Sequence, residues 1–457
     1  MSDAKKDIKF SLKATVNKKK KRVLFAEVDG TFADVLLSFL TFPLGTIVKI
    51  LKKHHEIIPQ EFGSLTSLYT GLANLDSVLF WTEGAKSALL HPRSSCDAKR
   101  KRLKLDISDS PPLEYFNCPN KCRREVTLIQ SMYFDSYHCK QCYGNPTMER
   151  QTQTVPCDDD EVFMKSASSF LITDDLHIVP NAGLLQIASV LGVTDLDEAE
   201  TMNVTFELHE VVKLLVFSLI SMNPLSVIIF NATLDCTKGT EFTANASNSN
   251  SNSKKMNLKL VVQKSLNKLL CAEAEEDFVE FLFSFLIIPL GGVEALLSHN
   301  SHVKAIDNLY KSAADLIHDK YFKNLDAKNW LMKPNITHGY ISQNHIFPIT
   351  EDSLGTHYTK GISLPSTNFP KGQGSYLKGP RAYMVTDDLT VTPFCVASIL
   401  SSLGNQKIPV SDVEEVELQI GQKKGLSILK ASLTSKCALT DALLSQVMNK
   451  EPKKEQV

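Results

Sequence analysis

No Gly-x-Ser-x-Gly elbow, His-Glu-x-x-His pair, phosphate-loop pattern or dinucleotide fingerprint occurs in the 457 residues. The commonest hydrolase, zinc-protease and nucleotide chemistries therefore have no sequence carrier here. The first residues, MSDAKKDIKF, lack the apolar run of a secretory signal, so a cytoplasmic or nuclear protein is expected, not a secreted one. Neither sign of charge dominates: 50 Lys and Arg face 51 Asp and Glu, and no global field recruits nucleic acid or a membrane. No clean membrane span stands out either. Residues 278–297 are greasy but hold Glu280, Pro289, Gly291 and Glu294, and residues 211–230 hold Lys213, Asn223 and Pro224. Both read as buried helix pairs broken by proline. Cysteine is sparse, 10 in all and partly clustered, which suits metal ligands or reduced thiols better than disulfides. What remains is a globular composition, 43% hydrophobic and 22% charged, in a chain too long for one ordinary core.

The chain does contain one stretch twice. TFADVLLSFLTFPLG at 31–45 returns as DFVEFLFSFLIIPLG at 277–291, 246 positions on. The match runs back without a gap through Val23–Glu27 and Leu269–Glu273 to Leu12–Lys13 and Leu258–Lys259. A gapless match of that length signals an internal duplication. Before it, Ile8, Phe10, Leu12, Ala14 and Val16 alternate with polar residues, the period of a half-buried strand. Asn17–Arg22 reads as the charged tip of a hairpin. Thr31 and Asp277 are the expected N-caps of the next helix, whose apolar face holds Phe32, Leu36, Phe39 and Leu40 in one copy and Phe278, Leu282, Phe285 and Leu286 in the other. Pro43 and Pro289 stop that helix and open another. Leu65–Leu79 gives a third helix. His54-His55 sits at the end of the second, where it complements the helix dipole.

A second signature also recurs. Residues 170–176, FLITDDL, return as 383–389, YMVTDDL, each followed by a proline at 180 or 393. Apolar flanks around Thr-Asp-Asp predict a tight turn. The paired aspartates Asp174, Asp175, Asp387 and Asp388 are the least unsuited catalytic candidates, but neighbours in a strand point apart and Asp-Asp is ordinary turn chemistry, so no catalytic residue is assigned. Glu27 and Glu273 recur at matched strand ends and suit a turn or capping role. After the turn each copy carries a short helix, a strand and a longer helix. The tract ASNSNSNS at 246–253 has nothing to bury and reads as a linker. The expected architecture is α+β in two tandem related halves, each with a β-hairpin, helices and a second strand/turn unit. The units are 8–232 and 256–448, joined by a linker at 233–255 and followed by a disordered tail at 449–457.

One constellation carries chemistry. Cys118 and Cys122 are followed, after sixteen residues, by Cys139 and Cys142. Two short cysteine pairs on tight turns make the layout of a zinc ribbon, although the first pair has three intervening residues where two is common. Zn²⁺ favours tetrahedral thiolate, and a short pair lets one turn offer two ligands. Four thiolates close the shell, so the expected zinc is structural and folds an insert at about 110–150 that has little apolar sequence of its own. His138 and Cys157 are reserve ligands. The corresponding part of the second copy, 331–379, contains no cysteine.

These segments together resemble the plant "domain of unknown function 674" family. The likeness rests on LFAEVDGTFADVLLSFLTFPLGTIVKIL at 24–51 and its counterpart at 270–297, on MKSASSFLITDDLHIVP at 164–180 and LKGPRAYMVTDDLTVTP at 377–393, and on LSILKASLTSKCALTDALL at 426–444. It spans about 8–448. The resemblance implies a soluble plant protein of no established reaction, with a Cys-rich insert in the first copy, and it transfers no catalytic residue. Three functions compete. A non-enzymatic interaction or scaffold protein with an unknown protein partner stands first. A nucleic-acid binder would use the ribbon and the basic run Lys99–Lys104, although that run reads first as a solvated loop. An enzyme of unrecognised type is third.

Overall fold

Alternation at the start of the chain is enough to build the first strand, and the charged hairpin tip after it starts a sheet. The computed structural model describes residues 8–54, 61–81, 83–108, 114–117, 128–129, 147, 149–152, 162–165, 167–181, 199–232, 254–316, 321–337, 340–351 and 374–444. Strand β1 (Phe10–Asn17) buries every second side chain and turns back as β2 (Arg22–Asp29). Lys21 takes a left-handed φ of 49° at the hairpin tip. Then come α1 (Gly30–Ser38), α2 (Leu44–Lys53), α3 (Leu65–Asn74), α4 (Glu83–Leu90) and the single turn α5 (Asp97–Arg100). A small separate sheet is formed by β3 (Glu114–Asn117), β4 (Leu128–Ile129) and β5 (Glu149–Thr152), with β3 in the middle. Strands β6 (Ser169–Thr173), β7 (Ile178–Pro180) and β8 (Ala199–Phe206) complete the first large sheet, in the order β7-β6-β2-β1-β8. Helices α6 (Leu208–Ile220) and α7 (Pro224–Phe230) close this half.

The second half repeats the plan. It runs β9 (Met256–Gln263), β10 (Lys268–Ala274), α8 (Glu276–Ser284), α9 (Leu290–Leu296), α10 (Lys304–Asp315), α11 (Leu325–Met332), β11 (Tyr383–Thr386), β12 (Val391–Pro393), α12 (Val396–Asn405), β13 (Val413–Ile420) and α13 (Gln422–Thr434). Its sheet order is β12-β11-β10-β9-β13. Position by position this is the order of the first sheet, and both are antiparallel throughout. The irregularities match too. The register of β1 on β2 slips at Leu24 and that of β9 on β10 at Leu270, 246 positions apart. Leu176 and Leu389 hold left-handed φ of 61° and 66° in the two Thr-Asp-Asp turns.

Helix α1 starts two residues earlier than expected. Asp29, not Thr31, is the N-cap: its carboxylate accepts the Phe32 amide at 2.9 Å, and Thr31 lies inside the first turn with its hydroxyl donating to Asp29. Asp29 ends its strand in an extended conformation, which is the geometry a cap needs. In α8 the cap position holds Glu275, whose side chain makes no capping bond, and Asp277 lies within the first turn. Both helices are buried nearly all round, including Phe32 and Phe278. An all-round apolar helix must be covered on every side; its own sheet covers one side, and the opposite half supplies further cover.

That cover is reciprocal. Helix α3 of the first half packs on α8 and β12 of the second, and α10 of the second packs on α1, α6 and β7 of the first. Trp81 N–H donates to Tyr376 O (3.0 Å) and Lys378 N–H to Leu79 O (2.8 Å); Lys323 N–H donates to Phe163 O (2.8 Å) and Lys165 N–H to Tyr321 O (2.9 Å). Two further bridges join positions to their own counterparts, Pro43 to Pro289 and Ser94 to Ile336. In the first, Leu44 N–H meets Ile288 O and Leu290 N–H meets Phe42 O, each at 3.0 Å. A pairing of a position with its own equivalent is the mark of a two-fold relation. One hydrophobic cluster runs through both sheets and all these helices. Among the described residues no helix is long and apolar enough to cross a membrane.

Candidate functional site

The residues singled out from sequence lie in different parts of the chain. Cys118, Cys122, Cys139 and Cys142, with His138 and Cys157, lie outside the described residues. In sequence the four cysteines and His138 fall between β3, which ends at Asn117, and its partner β5. The four turn aspartates are tied into the fold. Asp174 accepts Ser226 N–H (2.8 Å) and hydroxyl (2.6 Å); Asp387 accepts the same two groups from Thr440, both at 2.8 Å. Each first aspartate therefore holds the start of the last helical segment of its own half. Each second aspartate faces the other half. Asp175 takes Lys304 at 3.3 Å and its carbonyl takes the Asn308 amide at 3.0 Å, while Asp388 takes the Ser67 hydroxyl. Glu27 and Glu273 pair with Lys13 and Lys259 across their strands, at 3.8 and 3.7 Å. His54 ends α2, its amide on Ile50 O, and His55 lies outside the described residues.

The basic run 99–104 is solvated only in part: Lys101 and Lys104 are exposed, and Arg100 is not. Arg100 is fully buried, bonded to Asp97 and near Asp106, with its guanidinium over Phe42. Lys99 lies 4.0 Å over the Trp330 ring and Lys104 4.7 Å over Phe10. Cations stacked on rings are held by the ring quadrupole and by the apolar stems they carry. Arg100 is thereby taken out of reach of a phosphate backbone, while Lys101 and Lys104 remain exposed.

Two features go beyond what the sequence motifs indicate. The first is a pair of buried acids on the duplicated helix. Asp34 takes the amides of Met164 (2.6 Å), Val162 and Phe163 (3.2 Å each). Its counterpart Glu280 takes the Leu377 amide (2.7 Å), the Asn344 side chain (2.7 Å) and the Ser342 hydroxyl. Burial raises the Glu280 carboxyl, and the three donors offset part of that. A lone acid in an apolar helix at the same place in both copies was the available signal.

The second is a cleft of about 710 Å³ on the outer face of the second sheet. It is lined by Asn257, Lys259, Glu273, Glu275, Glu276, Arg381, Glu417 and Gln419, among others. Lys259 bridges to Glu415 at 2.8 Å, and that bond holds its ammonium above the ordinary range. Four carboxylates line the cleft against two cations. The first half keeps three of these charges, as Lys13, Glu27 and Asp29, and is neutral at the other three: Gly30, Ser168 and Asn203 stand where the second has Glu276, Arg381 and Glu417. Among the described residues no three His, Cys, Asp or Glu side chains gather to hold a metal.

The family model described as "Protein of unknown function (DUF674)" matches residues 6–423 and again 371–457. No curated protein and no solved structure matches the chain.

Proposed function

We infer, from the premise that this chain belongs to the family of unknown function 674, that it is a non-enzymatic interaction protein whose second half binds a basic segment of a partner protein. The carrying observation is the cleft on the second sheet. It is open to solvent, its carboxylates outnumber its cations, and three of its charges, Glu276, Arg381 and Glu417, have no charged counterpart in the first half. Acidic clefts raise the local concentration of cationic partners and steer their approach. The two halves are read as copies of one ancestral unit, supported by equal sheet order and reciprocal helix cover. The units 8–232 and 256–448 serve as the body, and the body as a scaffold. A zinc ion on Cys118, Cys122, Cys139 and Cys142 is proposed to fold the insert of the first half, a docking feature the second half lacks.

A labelled Lys/Arg-rich peptide tests the cleft by fluorescence anisotropy. Binding should weaken steeply with salt and fall at least about tenfold in a Glu275→Lys/Glu417→Lys variant. Equal binding by that variant, or none by the native chain, defeats the reading. An oligonucleotide in the same assay tests nucleic acid. Elemental analysis should find one zinc per chain, removed by a chelator with loss of protease resistance at 110–150.

A further inference from the structure

Two positions that are neutral in the first half carry acids in the second, and they meet. Glu294 on α9 stands where α2 has Val48, and Asp307 on α10 stands where α3 has Thr66. Both lie at the joint between the second and third helices of the half. Glu294 is 1% exposed. Its carboxyl lies against Asp307 and Ser301, and its Oε2 has no hydrogen-bond partner among the described residues. Asp307 Oδ1 already accepts the Ser301 amide (3.0 Å) and hydroxyl (2.8 Å). Glu294 is dry and Asp307 is half-buried beside it, so a proton kept on Glu294 avoids bringing two negative charges together where water is excluded.

The joint carries more than itself. From it α10 reaches across to the first half, where Asn308 and Lys304 hold Asp175 and the Ser312 hydroxyl accepts the Ile178 amide at 2.8 Å. The chain entering α10 is conformationally costly. Ser298, His299 and His302 hold left-handed φ of 53°, 61° and 68°, a region non-glycine residues occupy only when their surroundings enforce it. In the first half the corresponding joint is apolar at Val48, and Thr66 simply accepts the Phe62 amide at 2.9 Å.

We propose that Glu294 and Asp307 form a proton-dependent latch that holds α10 against the first half and loosens when both carboxyls are charged. The groups facing the pair are Lys311 and Tyr310 on α10, His299, Ser301 and His302 in the entering loop, and Lys430 on α13. Burial, then the charge of Asp307, pushes Glu294 well above the ordinary carboxyl range, and Lys311 opposes this. Burial and then Lys430 lower His302, and Asp307 opposes this. The folded joint keeps a proton that the unfolded chain releases near 4.5. Its stabilising contribution is therefore complete below that value and is lost as pH rises through the folded value.

Amide hydrogen exchange on the full-length chain between pH 6 and pH 9, corrected for intrinsic rates, tests the latch. Protection of 304–315 should fall with rising pH by at most about tenfold per unit up to the folded value and level off above it, while 65–74 stays level. Glu294→Gln should abolish the difference. If that variant folds poorly, Asp307→Asn gives the same reading. The proposal is overturned if the two helices lose protection in parallel in the native chain, or if the neutral variants keep the native pH response.

Discussion

Asp34 and Glu280 occupy one position in the two halves and do the same thing, gathering the amides of the segment that leads to the next strand. Val48 and Glu294 also occupy one position, and one packs while the other brings a carboxyl into the interior. The contrast sorts the molecule. Polar groups that recur in both halves, Asp174 with Asp387 and Asp175 with Asp388 among them, hold the fold and its exchange of helices. Charged groups found in one half only, Glu276, Arg381 and Glu417 of the cleft and the Glu294 joint, are where the halves have diverged. A single chain thus supplies its own control: each asymmetric residue has a counterpart on the same scaffold, and the counterpart shows what the scaffold alone requires.

The largest expected break in that symmetry is at the central bridge. Gly45 and Gly291 are equivalent, but a Cβ on Gly291 would lie 2.2 Å from Leu331 O and 3.1 Å from Leu40 O. A Cβ on Gly45 would meet Pro92 Cγ at 2.9 Å and Leu286 O at 3.0 Å. Backbone cannot yield as a ring edge can, so Gly291→Ala should cost about 3 kcal/mol or more and Gly45→Ala about 1–2 kcal/mol. Equal shifts in a denaturant midpoint would show that the bridge is more pliable than its contacts suggest.

A smaller difference is expected between the turn aspartates. Asp174 is 5% exposed, and its loss strands the Ser226 amide and hydroxyl in a dry place. Asp387 is half-buried, so water can replace it at Thr440. Asp174→Ala should cost about 2 kcal/mol and Asp387→Ala about 1 kcal/mol, from the penalty of an unsatisfied buried donor. A larger loss at Asp387 in chemical unfolding would contradict this ordering.

Much of the fold was legible because its signals are local. Period-two alternation gave β1, the prolines at 43 and 289 gave the helix breaks, and Thr-Asp-Asp gave both turns. The cap was misplaced by two residues, since Thr31 and Asp29 are both good capping types and only the strand end decides between them. Burial of Arg100 and the stacking of Lys99 and Lys104 were not legible, because the rings that hold them, Phe42, Trp330 and Phe10, are distant in sequence. The exchange of helices between halves was hidden for the same reason. Composition shows that α1 and α8 are apolar all round, but not which half covers them. The cleft was missed because its charges come from three strands, the start of α8 and the segment before β11, and no window of sequence contains them together.

The smallest effect separates thiols and leaves stability untouched. Cys395 is exposed at the start of α12, and the Ser398 hydroxyl, with the Ser398 and Ala397 amides, holds its thiol below the ordinary value. Cys271 is buried in β10, and burial, then Glu273, pushes it up to about 11. Cys96 is buried and also raised, by burial first. The attacking species is the thiolate, so both exposure and thiol acidity favour Cys395. Peptide mapping after brief maleimide treatment at pH 7 should find Cys395 labelled well before Cys271 and Cys96, which should react only on unfolding. Ser398→Ala should slow Cys395 by a few-fold without touching the other two, since it removes a donor and leaves exposure unchanged. Labelling of Cys271 at the Cys395 rate in the native chain would mean that the second sheet opens at β10, which its central place between β9 and β11 argues against.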